Sequence, residues 1–165
     1  MKTPFVTKEQ LEKICETYPT PFHLYDERGI RENARRVKAA FAWNKGFKEY
    51  FAVKATPTPG ILKLLGEEGC GVDCSSLVEL MLVRRCGFRG REIMFTSNNT
   101  LAEEFRLADE LGAFINLDDL TLVDFLEESL GYVPEAVLCR YNPGGVFTLG
   151  AGKEGFQVMD TPGDA

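Results

Sequence analysis

The sequence comprises 165 residues with a formal net charge of −6, and 44% of its residues are hydrophobic. That length and composition suit one domain with a buried core, or part of a larger domain. The acidic balance argues against a basic nucleic-acid-binding surface, and no apolar run reaches membrane-spanning length. We therefore expect a soluble protein with neither a nucleic-acid nor a membrane partner.

Cysteine and histidine usage limits the kinds of site that the chain can build. The five cysteines form no Cys-x-x-Cys pair, a pattern that favours reduced thiols and a cytoplasmic location. His23 is the single histidine, so a zinc centre or a cysteine–histidine catalytic pair has little to build on. We expect no metal site.

Residues 1–45 are predicted to form a lead-in of helix, strand and helix. Thr7 and Gln10 have the spacing of a capping box, which opens the first helix. Residues 22–25 alternate like a short strand. Asp26 is a typical N-cap for the second helix.

A regular repeat begins near residue 50. Strand-like segments start at intervals of 21, 21, 22 and 21 residues, and a helical pattern follows each of the first four. Strands that alternate with helices predict a parallel sheet with right-handed crossovers. Units this short and regular favour a (β/α)8 barrel, although a doubly wound sheet accommodates the same elements. The predicted strand starts are Tyr50, Gly71, Glu92, Phe114 and Glu135.

Residues 46–165 hold the first five of these units, whereas an eight-stranded barrel typically takes about 250 residues. After Arg140 the sequence shows no strong helical pattern. The sequence therefore predicts an α/β fold that forms a partial, truncated (β/α)8 barrel with an open edge.

Two of the predicted helices begin at Ser/Thr-x-x-Glu patterns. Ser76 with Glu79, and Thr100 with Glu103, have the spacing of capping boxes. Residues 150–155 form a formal G-x-G-x-x-G pattern, but no helical pattern follows to hold a pyrophosphate. We interpret residues 150–155 as a flexible loop and not as a dinucleotide site.

Residues 50–55 are predicted to form a short buried strand with Lys54 near its end. Alternation places Phe51 and Val53 on one face and Lys54 on the other. A lysine is almost never fully buried without a partner, and burial favours the neutral amine that Schiff-base chemistry requires. The alternative is a strand-end lysine whose ammonium group reaches water.

Polar side chains stand at the carboxyl ends of the predicted strands, where barrels carry their active sites. Lys54, Asp73 and Arg140 end the first, second and fifth strands. The first and fifth strands of a barrel are opposite each other, so the two cations would face across the mouth, with Asp73 beside Lys54. This set suits an anionic cofactor with a carbonyl carbon. Alternatively, strand ends are polar because they meet water, which explains Ser97 and Asn98 well.

Four segments resemble one family of enzymes, in the right order and spacing across nearly the whole chain. Residues 50–55 (YFAVKA) resemble the lysine strand of the fold-type III pyridoxal-phosphate (PLP) enzymes, the alanine racemase and basic amino-acid decarboxylase group. Residues 71–80 and 138–144 are similar to that group's second-strand motif and to its Leu-Arg-x-Asn-Pro segment. Residues 20–26 (TPFHLYD) resemble the corresponding segment of the diaminopimelate decarboxylases.

The resemblance implies a role for four residues. Lys54 would bind PLP covalently, Asp73 would lie close to that lysine and help to position it, and Arg140 would belong to the polar network around the cofactor. Glu79 matches an active-site acid of the decarboxylases. The alternative role for Glu79 is the helix cap alone.

The resemblance also implies an activity, which is PLP-dependent decarboxylation of meso-diaminopimelate to L-lysine by a full-length, homodimeric enzyme. Other decarboxylases of the same fold (for arginine, ornithine or carboxynorspermidine) and a racemase remain alternatives. The family's histidine against the pyridine ring, its glycine-rich phosphate loop and its C-terminal β-domain have no counterpart in this sequence. We therefore expect the chain alone to be an incomplete and inactive piece, and a non-catalytic fragment is the second hypothesis.

Overall fold

A computed structural model describes residues 4–141 and, for their backbone alone, residues 145–149 and 156–160. Two helices lead into alternating strands and helices, and an antiparallel pair of strands follows. In chain order the elements are α1 (Lys8–Thr17), α2 (Glu27–Ala40), β1 (Tyr50–Ala52), α3 (Pro59–Glu67), β2 (Gly71–Cys74), α4 (Leu77–Cys86), β3 (Ile93–Ser97), α5 (Ala102–Glu110), β4 (Phe114–Leu117), α6 (Leu122–Leu130), β5 (Leu138–Cys139), β6 (Gly145–Leu149) and β7 (Phe156–Asp160).

The first five strands form one parallel sheet in the order β1-β2-β3-β4-β5. Each strand pairs with the next one along the chain, as in the register Ala52–Asp73–Met94 and in the pairs Thr96–Asn116 and Asn116–Leu138. Sequential parallel neighbours are the topology of a growing βα barrel. The predicted succession of parallel βα units is therefore confirmed.

The sheet has an outer face that packs against helices α3 to α6. Side chains alternate in burial along each strand, so that in β3 Ile93, Phe95 and Ser97 are buried while Met94 and Thr96 are half-buried. Helix side chains such as Leu80 and Phe105 complete this core. The outer face is defined by Val72, Ile93, Phe95, Ile115 and Leu117, and the opposite, inner face by Ala52, Asp73, Met94, Thr96 and Asn116.

The lead-in differs from its prediction at residues 22–25. These residues form irregular chain and not a strand, because a short alternating segment forms a strand only where a ladder partner is available. The helices are confirmed, and Thr7 and Gln10 make both hydrogen bonds of the capping box. Arg31 and Arg35 of α2 both pair with Glu68 after α3, so the lead-in contacts the first βα unit.

Two other helix starts differ in detail from the predicted capping boxes. At α4, Ser76 caps as expected, but the Glu79 carboxylate accepts from the N–H of Ser75 and not of Ser76. At α5, the predicted box of Thr100 with Glu103 is wrong by one residue. The helix begins at Ala102, and the Glu104 carboxylate accepts from the N–H of Leu101 at 2.8 Å.

The antiparallel pair β6–β7 was not predicted from the sequence. Residues 150–155, interpreted as a flexible loop, lie outside the described residues, as do residues 142–144 of the Leu-Arg-x-Asn-Pro segment. Among the described residues, none of the helices has the combination of length and apolar character that crossing a membrane requires.

Candidate active site

The candidate site residues lie at one edge of the sheet, where the parallel strands end. Lys54 follows β1, Asp73 lies near the end of β2, and Arg140 follows β5. Glu79 lies in the first turn of α4, directly after β2. The topology therefore brings Lys54, Asp73 and Glu79 onto neighbouring elements, and it places Arg140 at the far edge strand.

Lys54 lies in a 3-10 turn and not in a strand as predicted. The β1 ladder ends at the pair Ala52–Asp73, and Val53–Ala55 then form a single turn, which the N–H of Thr56 closes on the carbonyl of Val53 at 3.1 Å. The side chain of Lys54 is exposed. The prediction of a buried lysine is therefore wrong for this structure, and the alternative of an ammonium group that reaches water describes it.

Asp73 carries the unusual electrostatics of the site. Burial raises the pKa of the Asp73 carboxyl, and the Glu79 carboxylate adds to this rise. A hydrogen bond from Thr96 and the positive charge of Lys54 act in the opposite direction. The Oδ1 atom of Asp73 is buried and lacks a hydrogen-bond partner among the described residues. Because a buried acceptor without a donor is costly, this atom suits a ligand that brings a donor or a positive charge.

Thr96 is a site residue that the sequence reasoning missed. Its side chain interacts with Asp73, and its Oγ1 accepts a hydrogen bond from Nδ2 of Asn116 at 3.3 Å. A hydroxyl group has one proton, so a hydroxyl that accepts from Asn116 is free to donate that proton to Asp73. Asn116, Thr96 and Asp73 thus form a polar row across the inner face. The strand register, had it been known, would have identified Thr96.

Arg140 is held next to the loop that follows β4. Its backbone N–H donates to the carbonyl of Leu117 at 2.8 Å. Its Nη1 donates to Oδ1 of Asp118 at 2.6 Å, with the two side chains 53% and 22% exposed. The guanidinium group is therefore fixed at the carboxyl edge of the sheet, across three strands from Lys54.

Glu79 has a defined structural contact. Its Oε2 accepts from the N–H of Ser75 at 2.8 Å, and its own N–H donates to Oγ of Ser76 at 3.4 Å. The Ser76 cap agrees with the alternative interpretation, whereas the Glu79 carboxylate accepts one residue earlier than a capping box requires. Its charge also raises the pKa of Asp73, so it lies within electrostatic reach of the candidate site.

Metal-ligating side chains do not cluster in the part of the chain that the structure describes, where no group of three or more His, Cys, Asp or Glu could hold an ion. Asp73 and Glu79, the two acidic residues of the candidate site, lie on adjacent elements, and no third His, Cys, Asp or Glu of the described residues joins them in a group that could hold a metal ion. The chemistry available at this edge is that of an amine, a carboxyl and a guanidinium group.

Comparison with known proteins gives this arrangement a context. Residues 27–145 match the family model described as "Pyridoxal-dependent decarboxylase, pyridoxal binding domain". "Protein TabA" of Pseudomonas amygdali pv. tabaci is 50% identical over 136 residues, which are 82% of this chain and 31% of that protein. A diaminopimelate decarboxylase of Methanothermobacter thermautotrophicus is 33% identical over 134 residues, 79% of this chain and 31% of that protein. The chain thus spans about a third of the length of these curated relatives.

A solved structure confirms the predicted fold class. The crystal structure of SrLDC in complex with PLP and cadaverine has a TM-score of 0.71 to this chain at 22% identity, and the match covers 86% of this chain and 36% of SrLDC. The partial barrel of the fold-type III class, predicted from the spacing and the resemblance, is therefore the observed fold.

Proposed function

Because the chain belongs to the family of the pyridoxal-binding domain of pyridoxal-dependent decarboxylases, we propose that the whole protein decarboxylates meso-diaminopimelate to L-lysine. In this reaction the bond to one carboxylate breaks, carbon dioxide leaves and a proton takes its place. The observation that carries the proposal is Lys54 at the end of β1 beside the half-buried Asp73 of β2.

Pyridoxal 5′-phosphate is the cofactor of this family. The residues present fit it, since the Lys54 amine is exposed and the buried Oδ1 of Asp73 lacks a donor within the described residues. Lys54 would hold the cofactor covalently, and Arg140 would contribute positive charge to the polar network around it. When bound, the cofactor supplies a pyridine ring that withdraws electrons from the bond to the departing carboxylate.

Side chains of the chain itself place and orient a negative charge beside Lys54. Burial raises the pKa of the Asp73 carboxyl, but the positive charge of Lys54 lowers it and so favours the ionised form, which places a negative charge beside the Lys54 amine. Thr96 and Asn116 fix the orientation of that carboxylate through the polar row. Glu79 holds the loop after β2 by its contact with Ser75, and we propose for it a second role as an active-site acid.

The substrate is the finer part of the proposal. Support for diaminopimelate comes from the relatives named diaminopimelate decarboxylase and from the resemblance of residues 20–26. Another basic amino acid is the second candidate substrate. The name of the relative that is 50% identical states no reaction, so that relative does not favour diaminopimelate over the alternatives. A racemase of the same fold would retain the carboxylate of its substrate, so its product distinguishes it from a decarboxylase.

Product analysis tests the substrate directly. The whole protein, loaded with PLP, is offered meso-diaminopimelate, lysine, ornithine, arginine and carboxynorspermidine in parallel, with carbon dioxide and amine products measured. We expect carbon dioxide and L-lysine from meso-diaminopimelate and loss of turnover in Lys54→Ala. Faster release of carbon dioxide from another amino acid would show that diaminopimelate is the wrong substrate. A product that retains the carboxylate and has inverted stereochemistry would show that the reaction is racemisation and not decarboxylation.

The assembly and location are proposed on the same basis. We propose a homodimer of the whole protein, as the resemblance implies, and a cytoplasmic location, supported by five cysteines that are free of disulfides. We expect this chain alone to lack turnover, because it spans about a third of its relatives. Light scattering on the whole protein checks the dimer, and a monomer that turns over would contradict it.

A further inference from the structure

Glu104 is a buried carboxylate that joins two loops at the carboxyl edge of the sheet. Its side chain belongs to the first turn of α5, and the residue is 6% exposed. Oε1 accepts from the N–H of Leu77 at 2.7 Å, and Oε2 accepts from the N–H of Leu101 at 2.8 Å. One side chain therefore connects the start of α4 to the start of α5.

Both hydrogen bonds are of a strong kind. Leu77 is the first residue of α4, and Leu101 is the N-cap of α5. Backbone N–H groups at helix N-termini have no partner within their own helix and carry partial positive charge. A carboxylate that accepts two of them forms charge-assisted bonds and is itself satisfied in a buried place. Glu104 is thus built into the fold and is not an exposed charge.

The loop that Glu104 holds, Ser75–Ser76, directly follows β2, the strand that contains Asp73. Only three residues separate Asp73 from Leu77, and Glu79 accepts from the N–H of Ser75 between them. The loop from β2 to α4 is therefore held from its own helix by Glu79 and from the neighbouring βα unit by Glu104. Asp73 itself lies in the ladder between β1 and β3, four residues before the N–H of Leu77 that Glu104 accepts from.

We propose that Glu104 is a positioning residue for the cofactor site, which acts by fixing the loop after β2 so that the Asp73 carboxylate stays beside Lys54. The hydrogen bonds of Glu104 go to the backbone N–H groups of Leu77 and Leu101, so its effect on the site acts through the backbone of Leu77. The proposal rests on the proposed PLP site, and it adds a residue to which neither the resemblance nor the sequence analysis assigned a role.

The variant Glu104→Gln tests the proposal most simply. An amide has one oxygen, so it can accept from Leu77 or from Leu101 but not from both, and its NH2 group faces a donor. Glu103→Gln is the matched control, because Glu103 is the exposed neighbour in the same helical turn and loses the same charge. Three quantities are compared in the folded proteins: amide hydrogen exchange at Leu77 and Leu101, the pKa of Asp73 by NMR, and the affinity for PLP.

We expect Glu104→Gln to speed exchange at Leu77 and Leu101 and to lower the pKa of Asp73, because burial is the main cause of its raised value and a looser loop admits water. PLP binding should weaken by roughly tenfold or more, as expected for a misplaced site group. Glu103→Gln should leave all three quantities unchanged. A purely structural role would lower the melting temperature without moving the pKa of Asp73.

A second pair of variants protects the test against misfolding. Leu77→Pro removes the N–H that donates to Glu104, yet proline is favoured at the first position of a helix and the extended backbone of Ser76 suits a following proline. Leu77→Ala is the control, since it shortens the same side chain and keeps the N–H. We expect Leu77→Pro, and not Leu77→Ala, to lower the pKa of Asp73 and to weaken PLP binding as Glu104→Gln does; amide exchange is compared in the Glu104→Gln variant alone, because a proline has no N–H at position 77.

The outcomes separate this proposal from the proposed function. If Glu104→Gln speeds exchange at Leu77 and Leu101 but leaves both the pKa of Asp73 and PLP affinity unchanged, Glu104 is structural and the proposal is wrong. Leu77→Pro with both of these quantities unchanged would lead to the same conclusion. If the parent protein itself does not bind PLP, the proposed function fails, while the pKa of Asp73, measured without cofactor, still decides whether Glu104 positions this loop.

Discussion

The two faces of the five-stranded sheet differ in chemistry, although the same strands contribute side chains to both. On the outer face, Val72, Ile93 and Phe95 are at most 1% exposed and pack against helices. On the inner face, Asp73 and Thr96 occupy the alternate positions of the same strands and are half-buried. A period of two residues therefore separates a packed core from a polar row.

The comparison shows how stability and function are divided in this chain. The outer face excludes water with apolar side chains, so its contribution is to the free energy of unfolding. The inner face contains a carboxyl whose Oδ1 lacks a partner within the described residues, which is a feature that folding alone does not favour. Substitutions on the two faces should therefore separate the free energy of unfolding from cofactor binding.

Adjacent residues of β3 provide the largest contrast. Phe95 is 1% exposed and meets Phe105 edge-on at 6.3 Å between ring centroids. Phe95→Ala should lower the free energy of unfolding by about 3–5 kcal/mol, since it leaves a cavity in the core. Met94→Ala, on the half-buried inner face, should cost about 1 kcal/mol. Denaturant titration measures both, and equal costs would contradict the division between faces.

Asp73 gives the opposite contrast, with a loss of binding and no loss of stability. Asp73→Asn removes the charge beside Lys54, so PLP affinity should fall by roughly tenfold to a hundredfold. The free energy of unfolding at pH 7 should stay the same or rise by about 1 kcal/mol, since a buried charged acceptor without a donor becomes neutral. Denaturation and PLP titration on the same samples measure the two effects.

The pH dependence of this variant has a defined sign. Because burial raises the pKa of Asp73, the folded protein holds that proton more tightly than the unfolded chain does. The resulting stability is complete below the pKa of the unfolded chain and is lost as pH rises through the pKa of the folded protein. Asp73→Asn should not show this loss of stability as pH rises. If the free energy of unfolding of the variant followed that of the parent protein across this pH range, burial of Asp73 would have no effect on stability.

The ion pairs between α2 and α3 should affect neither face and should give the smallest effect. Arg35 and Arg31 hold the pKa of Glu68 down to about 2, so their contribution is present above the usual carboxyl pKa and is lost as pH falls through about 2. Glu68→Gln should lower the melting temperature at pH 7 by roughly 1–3 °C and leave PLP affinity unchanged. Glu67→Gln is the milder control, because Glu67 is 64% exposed and pairs with Arg31. A loss of PLP affinity in Glu68→Gln would couple the lead-in to the site.

The sequence was sufficient for the βα repeat because turn and helix signals recur at nearly constant spacing. Strands begin at Tyr50, Gly71 and Phe114 as predicted, and at Ile93 and Leu138 within a few residues of the expected starts. The predicted strand at residues 22–25 is wrong, because alternation over four residues cannot identify a ladder partner. The strands β6 and β7 lack the helix-linked spacing that revealed the others.

The site was harder to predict because its properties depend on three-dimensional neighbours. Lys54 was predicted to end the first strand, whereas it lies in the 3-10 turn that follows β1. Its exposure depends on that turn, which an apolar run does not distinguish from a strand. Thr96 looks like an ordinary strand residue until the register places it beside Asn116. Glu104 is equivalent to Glu103 by composition, and only the start of α5 at Ala102 decides which of them turns inward.

The most direct test of the account is covalent attachment of PLP. The purified protein is mixed with PLP, freed of excess cofactor, examined for a visible absorbance band, then reduced with borohydride and mapped by mass spectrometry. We predict a band and a labelled Lys54 in the parent protein and in Lys63→Ala, which removes an exposed lysine of α3, and neither in Lys54→Ala. A band that survives in Lys54→Ala, or a label on another lysine, would contradict the claim that the end of β1 holds the cofactor.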